Sequence, residues 1–309
     1  MKILITGIHG FVGSNLVNYL KKDSTIYGLD IVSPQKEGVA KTYSWQDLDS
    51  DAIPEVDAII HLAGKAHDTK NQSEAKAYFD INTGLTEKMY DYFLKKNINK
   101  FIFFSSVKAA ADSVVGDVLT EDITPSPKGP YGESKIAAEK YILSKPTDKK
   151  VYILRPCMIH GPGNKGNLNL LYSVVSKGIP WPLGAFDNHR NFTSVENLCY
   201  VVNGLLTKDI NSGIYHMCDD ESVSTNELIQ IICDALGLKS HIWKINKGFI
   251  SACASFGTVL HLPLNSERLR KLTENYLVSN AKIKAALGID KMPVRAVDGL
   301  SRTIKSFKK

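Results

Sequence analysis

Three glycines set three residues apart, Gly7, Gly10 and Gly13, follow directly on the run Lys2-Ile3-Leu4-Ile5-Thr6 and open a segment in which Val12, Leu16 and Leu20 recur at helical spacing. Few folds accommodate a strand that turns this sharply into a helix. Gly7 permits the tight turn, Gly10 lets backbone amides approach a ligand, and Gly13 lets helix and strand pack without an intervening side chain. The helix start, with Phe11 and Val12 as its first residues, presents free amides and a positive dipole end to an anion such as a pyrophosphate. Three glycines at this spacing also occur in purely structural turns. Their place between a first strand and a first helix is what makes Gly7, Gly10, Phe11, Val12 and Gly13 candidate cofactor contacts.

The same texture continues. Ile26-Tyr27-Gly28-Leu29, Ala58-Ile59-Ile60-His61-Leu62, Phe101-Ile102-Phe103-Phe104 and Val151-Tyr152-Ile153-Leu154 are short apolar runs separated by helical patterns, one of them carrying Leu85, Met89, Tyr92 and Phe93. Strands buried on both faces read as such runs, so the expected fold class is α/β with a doubly wound parallel sheet. The sheet is expected over residues 1–160, with returns near 190–218 through Phe192-Thr193-Ser194-Val195 and Ile214-Tyr215-His216-Met217. Residues 161–309 are expected to form mainly a smaller, discontinuous substrate-binding lobe. In that half, Ser224 and Glu227 have the spacing of a helix capping box. The apolar stretch 249–264 lacks a strongly basic polar face, so it is expected to pack in the small lobe or at a subunit contact rather than on a membrane.

Bulk properties exclude several classes. A hydrophobic fraction of 43% with 23% charged residues is that of a globular chain, not a disordered one. The net charge of +6 is spread over short clusters such as Lys21-Lys22, Lys95-Lys96 and Lys149-Lys150, which does not describe a nucleic-acid surface. Five cysteines without a close pair argue against a disulfide framework or a metal site and for reduced thiols in a cytoplasmic protein. The chain opens directly on its first strand and holds no bilayer-length apolar run, so neither a signal peptide nor a membrane span is expected.

Asp30 ends the second apolar run. A carboxylate there accepts both adenosine ribose hydroxyls and repels a 2′-phosphate, and no Lys or Arg follows before Lys36, which favours NAD(H) over NADP(H). Further on, Pro130-Tyr131-Gly132-Glu133-Ser134-Lys135 places a phenol and an ammonium on one helix face. A phenol near pKa ~10 is a poor base, and a neighbouring ammonium favours its ionised form. Tyr131 is then the group that gives or takes a proton at a carbonyl or alcohol oxygen. Ser106, just past the Phe101–Phe104 run, is a third hydroxyl able to hold that oxygen.

These residues resemble the extended short-chain dehydrogenase/reductase superfamily in its NAD-dependent epimerase/dehydratase branch. The likeness covers nearly the whole chain: the Thr6–Gly13 turn, Asp30, His61-Leu62-Ala63-Gly64, Asn82, Ser105-Ser106, the Tyr131/Lys135 pair and Leu154-Arg155-Pro156. It implies a Rossmann sheet with Ser106, Tyr131 and Lys135 as the catalytic triad, Tyr131 and Lys135 also meeting the cofactor. It further implies that Leu62, Ala63 and Gly64 line the cofactor and that Asn82 supports the active-site helix, although by itself Asn82 reads equally as a helix cap. Gly161-Pro162-Gly163, Gly166-Asn167-Leu168, Pro182-Leu183-Gly184 and Arg190–Val195 look like nucleotide-sugar-binding segments. By that likeness Asn167 meets the diphosphate or sugar, Arg190 pairs with the diphosphate, and either Arg268 or Arg270 adds a second phosphate ligand. A homodimer through helices that include the Tyr131/Lys135 helix is also implied.

Departures from the family pattern bear on the reaction. Val107-Lys108 stands where 4,6-dehydratases carry an Asp-Glu pair, and Ala109-Ala110-Ala111 replaces a common Val-Tyr-Gly run. Ser105-Ser106-Val107-Lys108, Lys165-Gly166-Asn167-Leu168 and Pro182-Leu183-Gly184 most resemble reductases of UDP-4-keto-6-deoxy-N-acetylhexosamines in surface polysaccharide synthesis. Two alternatives stand beside this: a UDP-hexose or UDP-N-acetylhexosamine 4-epimerase, towards which Asp30 leans, and a non-catalytic dinucleotide-sensing protein, against which the retained Ser106, Tyr131 and Lys135 argue.

Overall fold

The computed structural model describes residues 1–66, 74–164, 166–260 and 265–308, without the side chains of Asn167 and Val259. Its centre is a seven-stranded sheet built from β1 (Lys2–Thr6), β2 (Thr25–Leu29), β3 (Lys41–Tyr43), β4 (Ala58–His61), β5 (Lys100–Phe104), β6 (Lys150–Pro156) and, after three short strands, β10 (Gly213–Met217). The short strands are β7 (Met158–His160), β8 (His189–Arg190) and β9 (Phe192–Ser194); β11 (Val223–Ser224) follows β10. The order across the sheet is β10-β6-β5-β4-β1-β2-β3, every pairing parallel. The chain runs outward from β1 in one direction through β2 and β3, then crosses back to β4 and runs the other way. Ligands of such sheets bind beyond the carboxyl ends of the strands where this reversal occurs.

Alternate residues along each strand serve different cores, as a pleat with period two requires. Ile3, Ile5, Ile60, Ile102, Phe104 and Leu154 pack against Leu16, Val17 and Leu20 of the Phe11–Leu20 helix and against Leu198, Val201 and Leu205 of the Val195–Thr207 helix. Leu4, Ile59, Phe101, Phe103 and Ile153 face Met89, Tyr90 and Phe93 of the Leu85–Lys95 helix and Ala138 and Ile142 of the Pro130–Ser144 helix. Each such side chain contributes about 1.5–3 kcal/mol on burial. A further core joins Leu168, Phe192, Val223, Leu228, Ile232, Leu300 and Ile304, drawing together helices Asn167–Ser176, Thr225–Leu236 and Ala296–Lys305. Ser224 and Glu227 form the expected capping box, and Gly237 ends the helix in a left-handed conformation.

Two elements differ from the sequence expectation. Ile214–Met217 returns to the sheet beside β6, but Phe192–Ser194 does not. It pairs with β7 in a separate two-stranded sheet. Phe192 is drawn into the third core, while the Ser194 side chain accepts the Asn197 amide and starts a helix at Val195. β3 extends the other edge through a Lys-Thr-Tyr segment too short and too polar to show as an apolar run. The 249–264 stretch forms a helix over Lys247–Val259, and residues 261–264 lie outside the described set. No helix among the described residues is long and apolar enough to cross a membrane.

Candidate active site

The glycine turn leaves β1 at the point of reversal. Gly7 adopts φ 67°, and a Cβ on Gly13 would stand 2.6 Å from the Gly7 carbonyl and 2.8 Å from that of Ile8, so only glycine lets the helix start this close to the strand. The Phe11–Leu20 helix has no side-chain cap and no acidic residue in its first turn. Its amino end is therefore left to an anion, which fits a dinucleotide pyrophosphate. Asp30 follows β2 with its carboxylate fixed beside this turn, accepting the His9 amide at 3.0 Å and the Ile31 amide at 2.8 Å.

A buried chain of hydrogen bonds sets the loop after β4. The Thr6 hydroxyl oxygen accepts the amides of Leu62 at 3.1 Å and Ala63 at 2.9 Å, so its own hydrogen goes to His61 Nδ1 at 2.8 Å. That makes Nε2 the protonated nitrogen of His61, donating to Thr86 Oγ1 at 3.0 Å; the Thr86 hydroxyl in turn donates to the Asn82 carbonyl at 2.6 Å. Burial, helped by the charge of Lys135, pushes the His61 pKa down to about 3.

This histidine makes the fold acid-sensitive in a defined window. Unfolded, His61 takes up its proton near 6.5; folded, it resists to about 3, so the stability it contributes is complete above pH 6.5 and is lost as pH falls towards 3. His216, pushed to about 4 by burial and by Arg155, acts in the same sense. Thermal melts are expected to show a Tm that drops between pH 6.5 and about 4.5, before most carboxylates titrate. His61→Gln is expected to flatten that slope, leaving the share of His216.

Asn82 sits in a π-helical stretch, Phe79–Gly84, whose widened turn aims its amide at two elements together. Its Oδ1 accepts the Lys65 amide at 2.7 Å, and its Nδ2 donates to the Lys65 carbonyl at 3.1 Å and to Ser134 Oγ at 2.9 Å. Ser134 Oγ donates to the Tyr131 carbonyl at 2.9 Å. Asn82 thus fastens the Leu62-Ala63-Gly64 loop to the Tyr131/Lys135 helix. Gly64 faces the same junction, where a Cβ would stand 2.8 Å from Asn82 Oδ1 and 3.1 Å from Lys135 Nζ, so a side chain there would displace the Asn82 amide.

Ser106 follows β5 and caps the Val107–Ala110 helix, accepting the Lys108 amide at 3.2 Å. Tyr131 is hydrogen-bonded to Ser106 and lies edge-on to Tyr78, ring centroids 6.4 Å apart. Lys135 Nζ donates to the Phe104 carbonyl at 2.8 Å and stands 5.1 Å from the centre of the Phe103 ring. Burial lowers the Lys135 pKa to about 8, with Glu139 pulling the other way. Tyr131 differs from expectation. Burial raises its pKa, the Ser106 hydrogen bond offsets part of this, and Tyr78 adds to the rise. With Lys135 turned to the Phe104 carbonyl, the phenol is held in its neutral form.

Sequence reasoning missed Glu139. This carboxylate is fully buried one helical turn beyond Lys135; it accepts the Ser105 hydroxyl and a two-pronged contact from Arg155, Nε to Oε1 at 2.9 Å and Nη2 to Oε2 at 2.5 Å. Its signal was a carboxylate at i+4 from Lys135 and i+8 from Tyr131, on the helix face already assigned to the site.

Arg190 lies in β8, its Nη2 donating to the Lys271 carbonyl and its Nε buried without a hydrogen-bond partner. Burial lowers its pKa, and Glu274 offsets this in part. The Arg190 charge reaches Lys108, whose Nζ donates to the Asp112 carbonyl at 2.6 Å and stands 4.4 Å from the centre of the Tyr276 ring. Arg270 is paired with Glu274 at 2.7 Å and Asp112 at 3.6 Å, and both Arg268 and Arg270 are exposed. The Asn167 side chain lies outside the described residues.

Fold and site together define a class: a Rossmann-type parallel sheet with a glycine turn at its reversal and a Ser-Tyr-Lys set beyond the next strands. Comparison with known proteins goes a step further. The profile of the NAD dependent epimerase/dehydratase family matches residues 3–217, and the chain belongs to this family. It is 29% identical over 321 residues to the UDP-glucose 4-epimerase of Vibrio cholerae, covering 99% of this chain and 95% of that one. It is 26% identical over 251 residues to the GDP-6-deoxy-D-mannose reductase of Pseudomonas aeruginosa, covering 75% and 79%. Among solved structures, the UDP-glucuronic acid 4-epimerase of Bacillus cereus in complex with NAD matches with a TM-score of 0.76 at 20% identity, over 100% of this chain and 99% of that one, a likeness of fold.

Proposed function

We propose that the chain reduces the 4-keto group of a UDP-4-keto-6-deoxy-N-acetylhexosamine, with NADH as the reductant. The single observation that carries this reading is the Ser106–Tyr131 hydrogen bond next to a desolvated, cationic Lys135, with the phenol held neutral and ready to give up a proton. NAD(H) bound along the glycine turn supplies the hydride. Tyr131 protonates the developing alkoxide at carbon 4, and Ser106 holds that oxygen by a hydrogen bond. Lys135 anchors the nicotinamide ribose, Gly7, Gly10, Phe11, Val12 and Gly13 take the pyrophosphate, and Asp30 takes the adenosine ribose. Leu62, Ala63 and Gly64 line the cofactor, Asn82 holds that loop to the helix, Arg190 with its unpartnered Nε–H meets the substrate diphosphate, and Asn167 contacts the diphosphate or the sugar. Lys108 is a cation where elimination of water requires acids, which speaks against a dehydratase. The glycine turn, Asp30 and the Ser-Tyr-Lys set belong to residues 1–160, and the diphosphate contacts to the lobe within 161–309.

A second reading, 4-epimerisation of a UDP-sugar, is favoured by the whole-length similarity to a UDP-glucose 4-epimerase. The two readings separate by stoichiometry. Purified protein is incubated with NADH and freshly generated UDP-4-keto-6-deoxy-N-acetylglucosamine, with UDP-N-acetylglucosamine and UDP-galactose as controls. Consumption of one NADH per keto sugar supports reduction. Interconversion of the control sugars without net NADH consumption would establish the epimerase and overturn the reductase.

Asp30 gives a cofactor test of the same site. Asp30→Ala is expected to raise the KM for NADH roughly ten- to a hundredfold, through the lost charge-assisted hydrogen bonds to ribose, and to narrow the preference over NADPH. An unchanged NADH KM would show that the carboxylate serves only the turn.

A further inference from the structure

The Lys247–Val259 helix packs by one face only. Ile250 and Ala254 are buried against Leu183 and Leu269, which fixes the helix about its own axis. On the outer side Phe249, Cys253, Phe256 and Leu260 follow at i, i+4, i+7 and i+11, one stripe along the helix. Phe249 is 63% exposed, Phe256 64% and Leu260 51%, and Trp243 just before the helix is 56% exposed. Two phenylalanines left in water on a helix that cannot turn them inward mark a surface with a further occupant.

Charge says which occupant. Between Asp234 and Glu267 the chain holds no acidic residue, while Lys239, Lys244 and Lys247 are all exposed. The Ser266–Thr273 helix packed alongside adds Arg268 and Lys271, the latter paired with Glu267 at 2.8 Å, while its Arg270 is paired with Glu274 at 2.7 Å. An apolar stripe with an exposed tryptophan and a flanking cationic field is complementary to an anionic bilayer surface, where aromatic rings enter the acyl boundary and lysines meet headgroups. We propose that this protein docks on anionic lipid membrane through the outer face of the Lys247–Val259 helix. The 249–264 stretch by itself has no strongly basic polar face, which is why its sequence alone points away from a membrane. The fold supplies basic residues from the preceding segment and the neighbouring helix. The proposal is independent of which reaction the site performs.

The full-length protein is tested by co-sedimentation with vesicles of phosphatidylethanolamine and phosphatidylglycerol, and with phosphatidylcholine vesicles as the neutral control. Binding is expected to the anionic vesicles, to weaken as salt is raised, and to fall at least roughly tenfold in the Phe249→Asp/Phe256→Asp protein. Lys244→Glu/Lys247→Glu is expected to reduce anionic-vesicle binding while leaving any residual neutral-vesicle binding unchanged. Melting temperature and the activity on soluble substrate serve as controls, since none of these residues is placed in the active site. Absence of vesicle binding, or binding that the phenylalanine substitutions leave unchanged, would overturn the proposal. So would light scattering that shows these substitutions converting a dimer to monomers in protein that never binds vesicles, because the stripe would then face a second copy of the chain.

Discussion

Tyr131→Phe is expected to lower kcat by roughly 10²–10⁴-fold, the usual worth of a positioned acid or base, with the KM for NADH little changed. The substitution keeps the ring and its edge-on packing with Tyr78 and removes only the hydroxyl that bonds Ser106. Loss of fold or of cofactor binding therefore does not enter, and melting temperature and NADH affinity confirm this in the same preparation. A drop of kcat and kcat/KM together marks an interaction made in the transition state. A kcat within about threefold of the wild type would mean that another group delivers the proton, and both enzymatic readings would lose their mechanism.

The second large effect is on stability. Glu139→Ala is expected to cost about 3–5 kcal/mol, because it leaves the Arg155 guanidinium buried without its counter-charge. Both side chains are almost wholly withdrawn from solvent, at 2% and 0% exposure, so nothing outside the fold can replace the carboxylate. Denaturant titration measures the loss. Joint replacement of Glu139 and Arg155 by Met is expected to recover most of it, since an intact buried pair adds little net stability over apolar packing. A single substitution that costs under about 1 kcal/mol would show that water reaches the pair. The site responds as well. Glu139 is what holds the Lys135 pKa up against burial, so without it Lys135 falls below about 8 and is deprotonated at lower pH. In Glu139→Gln, the alkaline limb of the activity profile is therefore expected to move to lower pH.

The placement of the candidate site residues was legible because their signals are local. The glycine turn, Asp30 at the end of a strand, Ser106 at the end of another and the Tyr131/Lys135 spacing each depend on the geometry of a single element, and β1, β2, β5 and the Pro130–Ser144 helix set them where expected. The capping box at Ser224 is equally local. What escaped depends on partners far along the chain. Phe192 is followed by two polar residues in a three-residue strand, and only the third core decides that it pairs with β7 and not in the main sheet. β3 gains its place from the edge of β2. The direction of the Asn82 amide follows from a π-helical turn that no residue pattern announces. The raised Tyr131 pKa is a property of enclosure by other segments, which the spacing to Lys135 does not report.

The parallel sheet order also has a bearing on how the molecule comes into being. β1 meets β4 only after two strands and their connections have gone out on the opposite side, and β6 waits for β10 across more than one intervening helix. Such pairings spend loop-closure entropy before they return any contact energy, which makes them late events on the path to the native state. The glycine turn and Ser106 lie at the ends of β1 and β5, which meet only through β4 between them. A chain in which β1, β4 and β5 have not yet paired therefore leaves strand edges open and the candidate site residues apart.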